Sequence, residues 1–189
     1  RAAPPAAGRC PVRIVGRLAD ALDAAAQAAV EAGLSVVRHP ARLAGDACES
    51  AARFCARVLA EPAGLHLAGG ETTVQLPEVA GRGGRNQHFA LAAAQWLRGR
   101  EDLLLLAVGT DGTDGNTEDA GALVDGQTLL RAEDAGLDAA AHLARADSAT
   151  VLAATGDLVH TGPTGTNVGD LVIALTCVAG HSHRAADNR

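Results

Sequence analysis

Apolar positions along the chain fall into two rhythms, one of strands and one of helices. Residues 103–108 are an unbroken apolar run, Leu103-Leu104-Leu105-Leu106-Ala107-Val108, followed at once by Gly109. A short apolar run that ends in a glycine-rich turn predicts a buried strand opening into a surface loop. Further strands are predicted at 12–15, 34–37, 65–68, 120–124, 158–160 and 171–178. Residues 72–76 alternate and carry β-formers, and Pro77 places that strand near a sheet edge. Helices are predicted at 19–32, where Gly33 stops an alanine-rich segment, and from an Asp46 cap to about residue 59. A third helix spans 86–98, with Phe89, Ala92, Ala93, Trp96 and Leu97 on one stripe and Gly99 at its end. Short helices follow at 128–135, 138–146 and 149–154. The β-α-β-α order of the first part points to parallel pairing with helical crossovers.

Composition narrows the function classes. The chain has 189 residues, 48% of them apolar, so it can bury a core. All 16 basic residues are arginine. No lysine is present to act as a P-loop lysine, a Schiff base or a phosphate clamp. A net charge of −6, no basic run, and only Phe54, Phe89 and Trp96 as aromatics argue against a nucleic-acid surface. No apolar run could span a bilayer, and no signal-peptide core follows the Ala/Pro-rich start. The cysteines (Cys10, Cys48, Cys55 and Cys177) form no C-x-x-C pair, so no zinc site is expected and the chain reads as reduced and cytoplasmic. The start Arg1-Ala2-Ala3-Pro4-Pro5 reads as a linker, so a piece of a longer protein is expected.

Four polar loops carry the candidate chemistry. Gly69-Gly70-Glu71-Thr72 reads as a glycine bend between two strands, with one carboxylate, Glu71. Gly81-Arg82-Gly83-Gly84-Arg85-Asn86-Gln87 sets two arginines and two amides at a helix start, where free N–H groups and the helix dipole attract anions. Asn86 as a simple cap with solvated arginines is the plain alternative. In Gly109-Thr110-Asp111-Gly112-Thr113-Asp114-Gly115, two carboxylates could ligate a hard cation or orient a polyol; paired Asx-turns would explain them equally well. The loop lacks the EF-hand pattern, since Thr113 stands where Asp or Asn is needed. Thr161-Gly162-Pro163-Thr164-Gly165-Thr166-Asn167 offers hydroxyl and N–H donors, as in a phosphate nest. None of these loops matches the Walker or dinucleotide fingerprint. Of the histidines, His66 reads as core and His88 and His142 as helix surface. His160 is the one candidate for catalysis, and His181 and His183 could bind adventitious metal.

The four loops, in this order, closely resemble the C-terminal MOFRL domain of bacterial and archaeal glycerate 2-kinases. The resemblance runs from about residue 64 to 178, and residues 12–59 are similar to the end of that family's Rossmann-like first domain. It implies an α/β fold, a mixed sheet with flanking helices, preceded by the end of a Rossmann-like domain. The implied division is a linker at 1–11, the Rossmann-like end at 12–62, the MOFRL-like domain at 63–179 and a tail at 180–189. His88 stands where many relatives carry glutamate, and Asn116 where many carry proline.

The resemblance implies ATP- and Mg²⁺-dependent phosphorylation of D-glycerate to 2-phosphoglycerate, in a cleft between two domains. The family's first domain supplies a functional lysine that this chain does not contain. Arg85, Arg82 and Asp111 are the expected catalytic residues. Glu71, Asn86, Gln87, Asp114, Thr161, Thr164, Gly165, Thr166 and Asn167 are expected to bind substrate or nucleotide, and Asp111 and Asp114 the metal. Partners are then glycerate and a nucleotide, with no nucleic acid or membrane, and a homodimer is one compatible assembly. A non-catalytic module for anions or sugar acids and a hydroxypyruvate reductase-like enzyme are the alternatives.

Overall fold

The computed structural model describes residues 13–177. Along them run α1 (Leu18–Glu31), β1 (Val36–Arg38), β2 (Leu43–Asp46), α2 (Ala47–Ala60), β3 (Gly64–Thr73), α3 (Arg85–Leu97) and β4 (Leu103–Gly109). There follow β5 (Gly121–Val124), α4 (Thr128–Asp134), α5 (Ala139–Ala144), α6 (Ser148–Thr155), β6 (Leu158–Val159) and β7 (Asp170–Thr176). Local chemistry explains the helix limits. Asp46 caps α2 by accepting the Glu49 N–H at 3.0 Å, and Asp138 caps α5 through Ala140 and Ala141. Gly33, at φ +79°, sits in the left-handed region just beyond α1.

The strands form one seven-stranded sheet in the order β1-β3-β7-β4-β5-β6, with β2 also on β3. β1 pairs in parallel with the first half of β3, and β2 with its second half. The remaining pairs are antiparallel. Mixed pairing is thus observed, and the parallel crossovers suggested by the early β-α-β rhythm are confined to one edge. β3 and β4 both lie against β7, antiparallel to it. Asp170, at the start of β7, therefore stands opposite Gly70 on one side and Gly109 on the other. That register gathers the C-terminal ends of β3 and β4 at one end of the sheet.

α3 runs through the middle of the helical layer and is buried nearly all round, from Asn86 to Ala94 and again at Leu97. The expected single stripe is corrected here: Trp96 is 42% exposed, while the polar first turn is buried. The expected burial of all six apolar residues at 103–108 also needs correction. Leu103, Leu105 and Ala107 pack into the core, but Leu104 on the other face is 43% exposed. Successive strand residues point to opposite faces, and the helical layer covers only one of them here.

Residues 65–76 are not two strands around a glycine bend. β3 runs unbroken through Gly69 and Gly70 and ends at Thr73. A Cβ at Gly70 would stand 2.1 Å from the Leu43 carbonyl oxygen, so glycine admits the close approach of β2. β2 itself was not legible, because its four residues include Gly45 at φ +77°. No strand forms at 13–15, which is exposed coil. Val12, Cys10, His181, His183 and the expected linker and tail lie outside the described residues. Among the described residues, no helix is long and apolar enough to cross a membrane.

Candidate functional site

The end of the sheet around Asp170 brings the four polar loops together. Arg85 opens α3 and turns back to Asp170, with Nε donating to Oδ2 at 2.6 Å and Nη2 to Oδ1 at 2.9 Å. Glu71, exposed near the end of β3, lies 3.6 Å from the same guanidinium. The Asp170 hydrogen bonds raise the Arg85 pKa against the cost of burial, so its charge is permanent. About a third of the side chain remains open (32%). It lines a cleft of about 540 Å³ with Glu71, Thr73, Gly84, His88 and Asn116. Arg82 is exposed; its backbone N–H is held by Asp147 at 2.9 Å.

The N-terminus of α3 attracts an anion, and the anion is supplied by the chain. Asp114 accepts the Asn86 N–H at 3.1 Å, the Asn86 side-chain amide at 3.2 Å and the Gln87 N–H at 2.8 Å. Asp114 is 2% exposed. Burial pushes its pKa up to about 6, against the lowering effect of these hydrogen bonds. Gly84 lets the carboxylate come this close, since a Cβ there would overlap Asp114. Asn86 is therefore not the cap, and Asn86 and Gln87 point into the protein rather than the cleft. Gln87 Nε2 donates to Thr117 Oγ1 at 2.6 Å.

Asp111 and Asp114 have separate partners. Asp111 is half-buried and turns to the threonine loop: Oδ2 accepts the Asn167 amide at 3.2 Å, while Oδ1 closes an Asx-turn with the Thr113 N–H at 3.1 Å. Its carbonyl accepts the Thr164 N–H at 3.1 Å. Thr164 Oγ1 donates to the Thr110 carbonyl at 2.5 Å, and Thr110 Oγ1 to the Gly169 carbonyl at 2.7 Å. Thr161, Thr164, Gly165, Thr166 and Asn167 are all exposed. Thr161 Oγ1 bonds only the neighbouring Gly162 carbonyl, at 2.9 Å. The loop thus lies on Asp111 while keeping a polar outer surface.

Donor chemistry separates the two carboxylates as cation ligands. Mg²⁺ takes one or two carboxylates, completed by phosphate and water. Asp111, with each oxygen taking one neutral N–H donor, fits that demand. Asp114 would have to leave the first turn of α3 unsatisfied.

Asp170 and Thr110 were missed by sequence reasoning. A lone acidic residue before the apolar run 171–176 was the available signal for Asp170; Thr110 lies in the Gly109–Gly115 loop, but no local pattern marked its bond to Gly169. The histidines also differ from expectation. His66 is core, as expected, at 0% exposure. His88 and His142 are buried rather than on the helix surface. Burial lowers the His88 pKa, so the ring is neutral at pH 7, and its Nδ1 lacks a hydrogen-bond partner. His142 Nδ1 pairs with Asp147 at 2.8 Å. His160 is exposed beside Asp119, 3.5 Å away.

Comparison with known proteins adds an independent line. The MOFRL family model matches residues 64–170. A protein of Agrobacterium vitis with the provisional name hydroxypyruvate reductase is 43% identical over 174 residues, covering 85% of this chain and 39% of that protein. A D-glycerate 2-kinase of Thermotoga maritima is 40% identical over 174 residues, covering 87% of this chain and 41% of that enzyme. A crystal structure of glycerate kinase from Thermotoga maritima aligns with a TM-score of 0.82 at 37% identity, over 88% of this chain and 42% of that one. The chain thus spans about two fifths of the length of these relatives.

Proposed function

The chain belongs to the MOFRL family, and from that premise we propose that it forms one wall of the active site of an ATP-dependent glycerate 2-kinase. In this reading residues 63–179 are the MOFRL-like unit and residues 12–62 the end of the preceding Rossmann-like domain. The carrying observation is the Arg85–Asp170 clamp, set at the end of the sheet where all four motif loops meet.

Phosphoryl transfer depends mainly on positioning and on stabilising charge. The 2-hydroxyl oxygen of glycerate forms the new P–O bond as the bond between Pγ and the β,γ-bridging oxygen of ATP breaks, ADP leaves and the hydroxyl proton is released to solvent. Arg85, held in one orientation by Asp170, faces the oxyanion that enters the cleft, with Arg82 on the rim. Asp111 orients the acceptor hydroxyl and is the carboxylate that would hold Mg²⁺, which when bound neutralises phosphate charge. The exposed 161–167 loop offers its donors to phosphate oxygens. Asp114, Asn86 and Gln87 act behind this surface, by fixing the first turn of α3. The setting proposed for the enzyme is cytoplasmic.

The test is substitution in the whole parent protein. Arg85→Ala and Asp111→Ala should each lower glycerate-dependent ADP release by at least ~100-fold, the scale of losing a group that stabilises transition-state charge. Near-normal turnover in both variants would overturn the reading. A non-catalytic module would bind glycerate identically with and without MgATP, which calorimetry distinguishes. A reductase of hydroxypyruvate would need a dinucleotide, and the sequence carries no fingerprint for one.

A further inference from the structure

A second cluster of polar groups lies outside the cleft, between α2 and the β1/β3 edge. His39 follows β1 and His66 lies within β3, opposite Val37. His39 Nε2 and His66 Nδ1 are 3.2 Å apart. Glu61, just past the end of α2, places Oε1 4.0 Å from His39 Nδ1. One ligand atom from each of these three residues lies within 4.8 Å of those of the other two. Phe54 packs edge-on against the His39 ring, with centroids 5.2 Å apart.

Hydrogen bonding accounts for this pair only in part. One ring must donate to the other, and whichever tautomer is chosen, His66 Nε2 remains fully buried without a hydrogen-bond partner. Two imidazoles have thus been taken out of water against one mutual bond and a backbone contact of His66 with Pro62, where buried polar atoms are ordinarily satisfied more fully. We propose that His39, His66 and Glu61 form a binding site for a divalent transition-metal cation of the zinc class.

The spacing fits that ion. Zinc holds imidazole nitrogens at ~2.0–2.1 Å, and tetrahedral geometry then sets them roughly 3.3 Å apart. Burial lowers the pKa of both rings, so at pH 7 both are neutral and have lone pairs to offer. Glu61 Oε1 lies 4.0 Å from His39 Nδ1 rather than from the Nε2 that faces His66, so rotation of this 39% exposed side chain brings its carboxylate to the ion, with water as the fourth ligand. Arg57, on α2, is the charged neighbour that opposes a cation here; Glu61 is the one that favours it. The ligands are imidazole and carboxylate, so the absence of paired cysteines does not bear on the site. Its ions differ from the Mg²⁺ of the proposed kinase cleft, because two imidazoles favour zinc, copper or nickel over a hard cation.

The experiment uses the 189-residue chain carrying His181→Gln and His183→Gln, which removes the His-Ser-His run of the tail as a competing ligand. Zinc titration by calorimetry should give one equivalent per chain, and Co²⁺ should give the visible bands of a tetrahedral site. Glu61→Gln should weaken zinc at least ~10-fold while leaving the metal-free circular dichroism unchanged, and His39→Gln should abolish binding. Failure of the parent chain to take up stoichiometric zinc overturns the proposal. So does an unchanged zinc affinity in Glu61→Gln, which would place the ion elsewhere even if His39→Gln fails to fold.

Discussion

The Asp114 carboxylate receives both the backbone N–H and the side-chain amide of Asn86, at 3.1 and 3.2 Å. A helix start that looks built to bind a ligand anion therefore already holds one, contributed 28 residues further along the chain. Asp114→Ala should cost about 2 kcal/mol, because two first-turn N–H groups and an amide lose their acceptor in a buried site. Urea unfolding at pH 7.5 measures it.

The same residue makes stability depend on pH. Its folded pKa of about 6 lies above the ordinary carboxylate value of 3.8, so between those values the folded state binds more protons than the unfolded. This contribution is fully present below the unfolded value and is lost as pH rises through 6, by ~3 kcal/mol at 1.36 kcal/mol per pKa unit. Other carboxylates titrate in that window too. The readout is the difference in stability between wild type and Asp114→Ala at pH 4 and pH 7.5, which should change with pH in this direction.

Gly70→Ala should break the β2–β3 edge. Its Cβ would meet the Leu43 carbonyl at 2.1 Å, and backbone cannot swing aside as a side-chain tip can. A loss of about 3 kcal/mol is expected, at the upper end of ordinary overpacking. Hydrogen exchange should show β2 amides losing protection first.

In the whole parent protein, Arg85→Lys should fall nearly as far in kcat/KM as Arg85→Ala. Lysine keeps the charge but cannot reproduce the two-armed contact with Asp170. Asp170→Asn should reduce kcat/KM by ~10-fold or more while Arg85 is still present, since it releases the guanidinium from its fixed orientation. Steady-state kinetics with varied glycerate and ATP would show it.

Arg131→Met separates stability from the cleft. Arg131 joins α4 to the end of α6 through Asp157 at 2.5 Å, Asp125 at 3.0 Å and the Thr155 carbonyl at 3.1 Å. Removing it strands the buried Asp157 carboxylate, for a cost of about 2 kcal/mol. Thermal melting should record that loss, with catalysis by the parent protein unchanged at permissive temperature.

Local signals reached the helices well. The Asp46 cap, the Gly33 stop and the Gly136 break between α4 and α5 are decided within a few residues. They reached β3 poorly. Gly69-Gly70 reads as a bend on local grounds, and only the passage of β2 over Gly70 shows why glycine continues the strand. The candidate site was legible as four loops and opaque as an arrangement. Asp111 turned to the threonine loop, whereas Asp114, with a similar local setting, turned inward.

By itself the sequence determined the α/β class, the loop chemistry and the family resemblance, because these rest on residue types and spacings within short segments. The tertiary structure alone decided which of the polar groups face the cleft. β7 runs antiparallel between β3 and β4, so Asp170 arrives beside Arg85 from 85 residues away. The burial of α3 draws Asp114 to its start, and the parallel pairing of β1 with β3 brings His39 and His66 into contact. Such pairings depend on register and packing over long separations, which no local pattern records.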